Sequence, residues 1–383
     1  MPHNWPILRS RLVGRLGLLL WLGQSGAVAQ PQLHTTNLPP LPHTQGKPNP
    51  GVAGAFAGVS HGVLLVAGGA NFPDGYPWQG GTKVWHSTVY ALTSLGTSKR
   101  PGWQRVQSLG RPVGYGASVV WRNRIICVGG NDAARRYADV VTLTWDKAAE
   151  RLRTDSLPAL PVALANLAAA VADDTLYVFG GEADRGTEKS LYVLSLQHPA
   201  SGWQKWADLP GPARAFTTLV AAEGRLYVVG GRQTSEGQTT VFADAYAYHI
   251  GQNRWERLPD LPTPVSAHGA IVAPDKAIWV VGGDTGERLS EIERMNNRLA
   301  GLTAGLVRDS LTERRNALQR DHPGFSRVVW AYWPKTRRWV KRGELPFAIP
   351  VTTPVVSIPG GFILPSGEVS PGVRTPACRR VLF

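Results

Sequence analysis

Five times in this chain an apolar run ends in Gly-Gly: Val63-Leu-Leu-Val-Ala-Gly-Gly69, Ile125-Ile-Cys-Val-Gly-Gly130, Leu176-Tyr-Val-Phe-Gly-Gly181, Leu226-Tyr-Val-Val-Gly-Gly231 and Ile278-Trp-Val-Val-Gly-Gly283. The first glycines, Gly68, Gly129, Gly180, Gly230 and Gly282, follow one another at intervals of 61, 51, 50 and 52 residues. A degenerate sixth copy reads Gly361-Phe-Ile-Leu-Pro-Ser-Gly367. Most units add a Trp followed by a Leu or Leu-Pro turn: Trp103 and Leu109, Trp203 and Leu209-Pro210, Trp255 and Leu258-Pro259, Trp339 and Leu345-Pro346. A period near 50 residues holds four short strands. One such sheet cannot bury both apolar faces alone, whereas sheets packed around an axis bury each face against a neighbour. Six copies predict a closed ring.

The pattern resembles the kelch repeat, which implies an all-β, six-bladed kelch-type β-propeller spanning residues 30–383 as a single domain. Composition agrees, since 43 Gly, 30 Pro and 14 Trp suit many strands and turns better than a helical bundle. Between Gly282 and the last copy, the stretch Glu287 to Asp321 places Leu289, Ile292, Met295, Leu299 and Leu302 at helical spacing. It predicts a helical insertion (287–321) in the fifth blade. After Gly367 there is room for one more strand, about Thr375 to Leu382, so the sixth blade lacks its outer strand. The segment Gln32 to Leu38 is the natural donor.

Residues 1–29 carry Arg9, Arg11 and Arg15 with no acid, then the apolar run Leu16 to Gly23, then Gly26-Ala-Val-Ala29. That order predicts a secretory signal peptide and an exported protein, periplasmic or extracellular. The apolar run is too short for a membrane span, and no later run reaches the roughly 20 residues one needs. Cleavage after Ala29 would lower the formal charge from +14 to +11 by removing three arginines. The mature chain stays basic and favours anionic partners by long-range attraction. Its basic residues are scattered without a nucleic-acid-binding motif, so a small acidic sugar is the expected partner and nucleic acid is not. Cys127 and Cys378 are too few for a disulfide framework and read as buried free thiols.

Strand parity places the loops after Gly-Gly at the same end of the ring as the starts of the next innermost strands. The first set supplies Asn71, Asn131, Asp132, Glu182, Arg232, Asp284 and Glu368; the second supplies Arg111, Tyr115, Asn166, Arg214 and His268. A mouth with Arg111, Arg214, Arg232 and Arg374 beside Glu182, Asp284 and Glu368 suits an anionic, hydroxyl-rich ligand.

Two stretches sharpen this reading: Gly51-Val-Ala-Gly-Ala-Phe-Ala-Gly58, with Leu64-Leu-Val-Ala-Gly-Gly-Ala-Asn-Phe72 soon after, and Ser366-Gly-Glu-Val-Ser-Pro-Gly-Val-Arg-Thr375. With Arg111-Pro-Val-Gly-Tyr-Gly116, Gly211-Pro-Ala-Arg-Ala215, Gly237-Gln-Thr-Thr-Val-Phe-Ala-Asp244 and Ala267-His-Gly269, they are similar to the bacterial N-acetylneuraminate epimerase (sialic acid mutarotase) family. In that family the Gly-Val-Ala-Gly block follows the Gly-Glu block, whereas here it comes first, which implies a circularly permuted member. The resemblance implies Glu368 as proton acceptor with Arg374 as its partner, in an isomerase that exchanges sugar anomers. Anomer exchange needs the anomeric hydroxyl to lose a proton and the ring oxygen to gain one. Under this reading His268 or Tyr115 is a second donor, Arg374 or Arg214 forks onto the substrate carboxylate, and Arg111 and Asn71 complete the substrate-binding set. No cofactor and no metal are expected.

Other readings use the same repeat. A non-catalytic propeller that binds a glycan or protein at its mouth needs every blade feature but not the Glu368 block. A copper oxidase needs a clustered Tyr/His site, and the nine histidines are dispersed. Zinc-hydrolase and phosphate-loop readings lack a His-x-x-x-His pair and a Walker-type glycine loop. Within the first reading, another acidic sugar or an aldose is the alternative substrate.

Overall fold

A computed structural model describes Met1, His3 and residues 33–44, 46–93, 95 and 102–383. The chain divides into two units, Met1–Gln30 and Pro31–Phe383. Apart from Met1 and His3, the expected export signal lies outside the described residues.

The second unit is a six-bladed β-propeller. Its six four-stranded antiparallel sheets begin, from the axis outward, with Phe56–Ser60, Ala117–Trp121, Ala168–Ala172, Thr218–Ala222, Gly269–Val272 and Val356–Ile358. Between neighbouring blades lie six apolar clusters, one per seam: Phe56, Leu65, Ile125 and Leu143, for example, join the first and second. The sixth blade runs Val356–Ile358, Gly361–Ser370 and Val373–Leu382, and its outer strand is His34–Leu38, paired antiparallel from His34 opposite Leu382 to Leu38 opposite Cys378. The ring is thus closed by strands from both ends of the unit.

The repeated residues sit at the seams. In Gly68-Gly69, Gly129-Gly130, Gly180-Gly181 and Gly230-Gly231 both glycines have positive φ, and a Cβ on the first would lie 2.3 to 2.5 Å from a carbonyl oxygen of the next blade. The second glycine donates its N–H to that same carbonyl at 2.8 to 2.9 Å. No side chain fits there, which explains the dipeptide. The degenerate copy uses Ser366-Gly367 instead, and the Ser366 hydroxyl accepts from the Val52 N–H at 2.8 Å. Each repeated Trp latches its blade to the preceding one: the indole N–H of Trp103, Trp203, Trp255 and Trp339 donates to Pro39, Pro158, Ala207 and Pro259 carbonyls at 2.7 to 2.9 Å.

The insertion stands between the second and third strands of the fifth blade as two helices, α1 (Glu287–Ala300) and α2 (Leu306–Arg320). The helical run breaks at Gly301 to Gly305, so it is a hairpin rather than one helix. Ile292, Met295 and Leu299 form the buried face of α1. Cys127 and Cys378 are free and buried in two different seams. Burial raises both thiols, Cys378 to about 12, so neither ionises under ordinary conditions.

Candidate active site

One residue per blade meets the axis at the mouth, in a left-handed turn just before the innermost strand: Gly54, Tyr115, Asn166, Phe216, Ala267 and Thr352, with φ from 50° to 68°. Each donates its backbone N–H to the carbonyl of the one before, and Gly54 donates to Thr352, at 2.6 to 3.3 Å. Six hydrogen bonds thus form a closed loop around the axis. Below it, the innermost strands surround an axial channel of about 690 Å³ lined mainly by Ala, Val, Leu and Thr. Above it, the residues after each Gly-Gly, namely Ala70, Asn131, Glu182, Arg232, Asp284 and Glu368, bridge back to the incoming segments at equivalent positions. The chemistry is gathered on this side of the loop, apart from the larger cavity.

Glu368 is held on one oxygen. Its Oε1 accepts the Gly372 N–H at 2.7 Å and an Arg374 guanidinium N–H at 2.9 Å, while Oε2 accepts no hydrogen bond among the described residues. The turn that brings Gly372 back is closed by Pro77, whose ring would lie 2.6 Å from a Cβ at that glycine. Arg374 is almost fully buried, lies over the Phe72 ring at 4.8 Å, and donates to the Tyr115 hydroxyl at 3.3 Å. Its Nε is buried without a partner.

Around this pair stand the other mouth groups. Asn166 donates to Glu182 Oε2 at 2.8 Å. Arg232 stacks on Phe216 at 3.8 Å and makes no side-chain hydrogen bond or ion pair among the described residues. Burial pulls its guanidinium down from its ordinary value, while the Asp284, Glu182, Glu293 and Glu368 carboxylates pull it back up. Lys83 lies over Tyr115 at 5.1 Å. The helical hairpin roofs part of the mouth. On α1, Glu293 accepts from the Thr239 N–H at 2.9 Å, on the fourth blade's outlying hairpin, and Asn316 of α2 donates to the Trp78 carbonyl of the first blade at 3.5 Å.

Of the catalytic and substrate-binding residues that the resemblance implies, Glu368, Arg374 and Tyr115 are brought together, whereas Arg214, His268, Asn71 and Arg111 are held elsewhere. Arg214 is fully buried, with both terminal nitrogens on Asp244 at 2.6 and 3.0 Å and further bonds to the Gly230 and Pro212 carbonyls. Its fork is occupied within the blade. His268 lines the axial channel, bonded through Nε2 to Thr218 Oγ1 at 3.0 Å. Burial lowers its pKa to about 3, so the imidazole is neutral and its Nδ1 has no partner. Asn71 donates to the Gly51 carbonyl at 2.8 Å and meets His86 Nε2 at 2.8 Å, tying the first blade's loop to itself. Arg111 stacks on Tyr137 at 4.0 Å and pairs with Asp139 on a half-exposed surface. Arg214 lies two residues before its blade's axial residue, His268 one after, and Arg111 four before Tyr115. Only the left-handed residue itself enters the hydrogen-bonded loop at the mouth.

Two further groups stand at the mouth. Arg232 belongs to the cationic face expected there for an anionic ligand, although not to the substrate-binding set that the family resemblance implies. His322 has no counterpart in the repeat, because it follows α2 in the insertion. Its Nδ1 accepts the Gly324 N–H at 3.1 Å. Among the described residues, no group of three or more His, Cys, Asp or Glu side chains is arranged to hold a metal ion.

A profile of the N-acetylneuraminate epimerase family matches residues 20–151 and 157–383. The chain belongs to that family. Similar members include the N-acetylneuraminate epimerases of Brucella melitensis, 31% identical over 65% of this chain and 64% of the relative, and of Haemophilus influenzae, 29% identical over 57% of each. That of Salmonella paratyphi B is 38% identical over 60% of this chain and 58% of the relative. The chain thus spans under two thirds of the length of the curated relatives it matches. A solved structure of YjhT shares the propeller fold, with a TM-score of 0.61 at 14% identity, covering 88% of this chain and 95% of that one. The family's expected Glu368 and Arg374 are the ion pair at the mouth.

Proposed function

We propose that this member of the family interconverts the α and β anomers of N-acetylneuraminate, with Glu368 as the proton shuttle. The observation that carries the reading is the half-occupied carboxylate: Gly372 and Arg374 fix Oε1, and Oε2 is left to face a substrate. In this sugar the carboxylate, the reacting hydroxyl and the ring oxygen all sit on one carbon. A site for it therefore needs a base and a carboxylate-binding cation side by side. Arg232, uncommitted and within electrostatic reach of Glu368, meets that need where the buried Arg214 does not.

The steps balance within the site. Glu368 Oε2 takes the anomeric O–H proton; the bond from the anomeric carbon to the ring oxygen breaks, and its electron pair goes to that oxygen. The same carboxyl group then returns the proton to the ring oxygen, giving the open keto form. Rotation about the former ring bond between the keto carbon and its neighbouring methylene carbon turns the other carbonyl face to the hydroxyl, and re-addition there, with the proton moves reversed, gives the other anomer. Arg374 holds the carboxylate in orientation, and Arg232 holds the substrate carboxylate through its fork.

Two further expectations join this proposal. The arginine-flanked apolar segment at residues 16–23 supports export to the periplasm or beyond, where a free acidic sugar is met. Alignments to curated relatives that cover 57–65% of this chain, with the Gly-Val-Ala-Gly block leading, support a circular permutation, which a ring with adjacent ends tolerates.

Proton NMR of freshly released α-N-acetylneuraminate, with wild-type protein and with Glu368→Gln, tests the reading. Faster approach to the β-rich equilibrium, lost in the variant, supports it. Binding without acceleration by wild-type protein points instead to a sugar-binding propeller, and no interaction at all points to a different sugar.

A further inference from the structure

The segment between α2 and the fifth blade's third strand is stitched across the mouth. The Phe325 N–H donates to the Val369 carbonyl at 3.0 Å, next to Glu368, and the Ser326 N–H donates to the Gly283 carbonyl at 3.1 Å, next to Asp284. Gly324, at φ 95°, turns tightly enough that a Cβ there would lie 2.9 Å from Ala348. These contacts bracket His322 between the two mouth carboxylates. Its ring packs at 5.2 Å from Phe325, and the charged groups facing it are Asp284, Arg288 and Glu368.

The Gly324 N–H occupies Nδ1 as an acceptor, so a neutral imidazole here carries its proton on Nε2. Taking up a second proton would cost that hydrogen bond. Burial likewise lowers the imidazole from its ordinary value; Asp284 and Glu368 raise it and Arg288 lowers it. The ring is therefore a fixed, uncharged N–H donor beside a carboxylate.

We propose that His322, delivered by the helical hairpin, donates its Nε2–H to the ring oxygen of the sugar as the anomeric carbon–oxygen bond breaks. The oxygen gains charge in that step, and a preorganised neutral donor stabilises it more in the transition state than in the bound sugar. His322 gives up no proton: Glu368 carries the single proton both ways, and the imidazole ends the cycle as it began. The inference rests on the mutarotase reading above and adds the donor that the repeat does not supply.

The test compares wild type, Glu368→Gln, His322→Gln and His322→Leu in the same NMR assay, with circular dichroism confirming the fold. A Gln side chain places an amide N–H near the position of Nε2; Leu offers none. The expected result is a kcat lowered about a hundredfold in His322→Leu with KM little changed, and recovery to within about tenfold in His322→Gln. Wild-type kcat in His322→Leu overturns the inference while leaving the function intact. Equal losses in both variants also overturn it, since a neutral donor is then not what the ring supplies. Failure of the wild-type protein to accelerate the reaction overturns the mutarotase reading, and this inference with it.

Discussion

Arg374 donates to the same oxygen of Glu368 that receives the Gly372 N–H, so the carboxylate is gripped on one side and open on the other. A grip of this kind fixes the direction of the free lone pairs. Replacing Glu368 by Gln removes the base while keeping an acceptor for both donors. The expected outcome is a folded protein that binds the sugar nearly as before and loses about 10²- to 10⁴-fold in kcat. Arg374→Lys, which cannot reach Glu368 and Tyr115 together through one planar fork, should lose activity with it. NMR exchange rates and a binding titration on the same samples check both.

Arg232 predicts a different signature. Its guanidinium is stacked on Phe216 and free of ion pairs among the described residues, and under the proposed function it serves the ligand rather than the fold. Arg232→Met should weaken binding of N-acetylneuraminate by about 1.5–3 kcal/mol, the worth of a charged hydrogen-bonded contact, with a smaller effect on kcat. The carboxamide analogue of the sugar should bind the wild type and the variant about equally. Calorimetric titration of the four pairs checks this.

Arg214 should behave in the opposite way. It is sealed in the third-to-fourth blade seam against Asp244, so Arg214→Leu strands a carboxylate and should destabilise the fold by about 3–5 kcal/mol. Folded variant should retain its turnover per molecule. Urea denaturation together with activity measured at low denaturant separates the two effects.

His268 sets an acid limit on stability. Its pKa falls from 6.5 to about 3 in the folded state, because burial excludes the charged ring. The unfolded chain therefore binds the extra proton first, and stability is lost as pH falls from about 6.5 toward 3, at up to about 1.4 kcal/mol per pH unit. Above pH 6.5 the residue contributes no slope. His268→Gln should flatten the acid limb of the stability curve without shifting the pH dependence of catalysis, as urea midpoints across that range would show.

Much of this was legible in the sequence because the repeat obeys hard sterics. Gly-Gly marks a seam where only hydrogen fits, and counting those seams gives the blades, the missing outer strand and the face on which Glu368 lies. Parity reaches as far as a face but not as far as a residue. Arg214, His268 and Arg111 lie within four residues of the mouth turns and Asn71 lies one residue beyond the mouth position Ala70, yet a shift of one to four positions turns each into a seam, into the axial channel or toward the rim. Glu368 and Arg374 were found because the sixth copy departs from Gly-Gly in a family-like block. His322 was beyond such reasoning: it sits in an insertion without register, and only the backbone contacts of Phe325 and Ser326 bring it to the mouth.

The outer strand of the last blade, His34–Leu38, is the first described strand of the unit in chain order, and its partner Val373–Leu382 is the last. A nascent chain must therefore carry its leading strand unpaired until nearly every other residue has been made. Final closure is a contact of extreme sequence separation, the kind that delays folding most. Five blades can assemble as they emerge, but the ring that sets Glu368 opposite its neighbours exists only once the two ends have met.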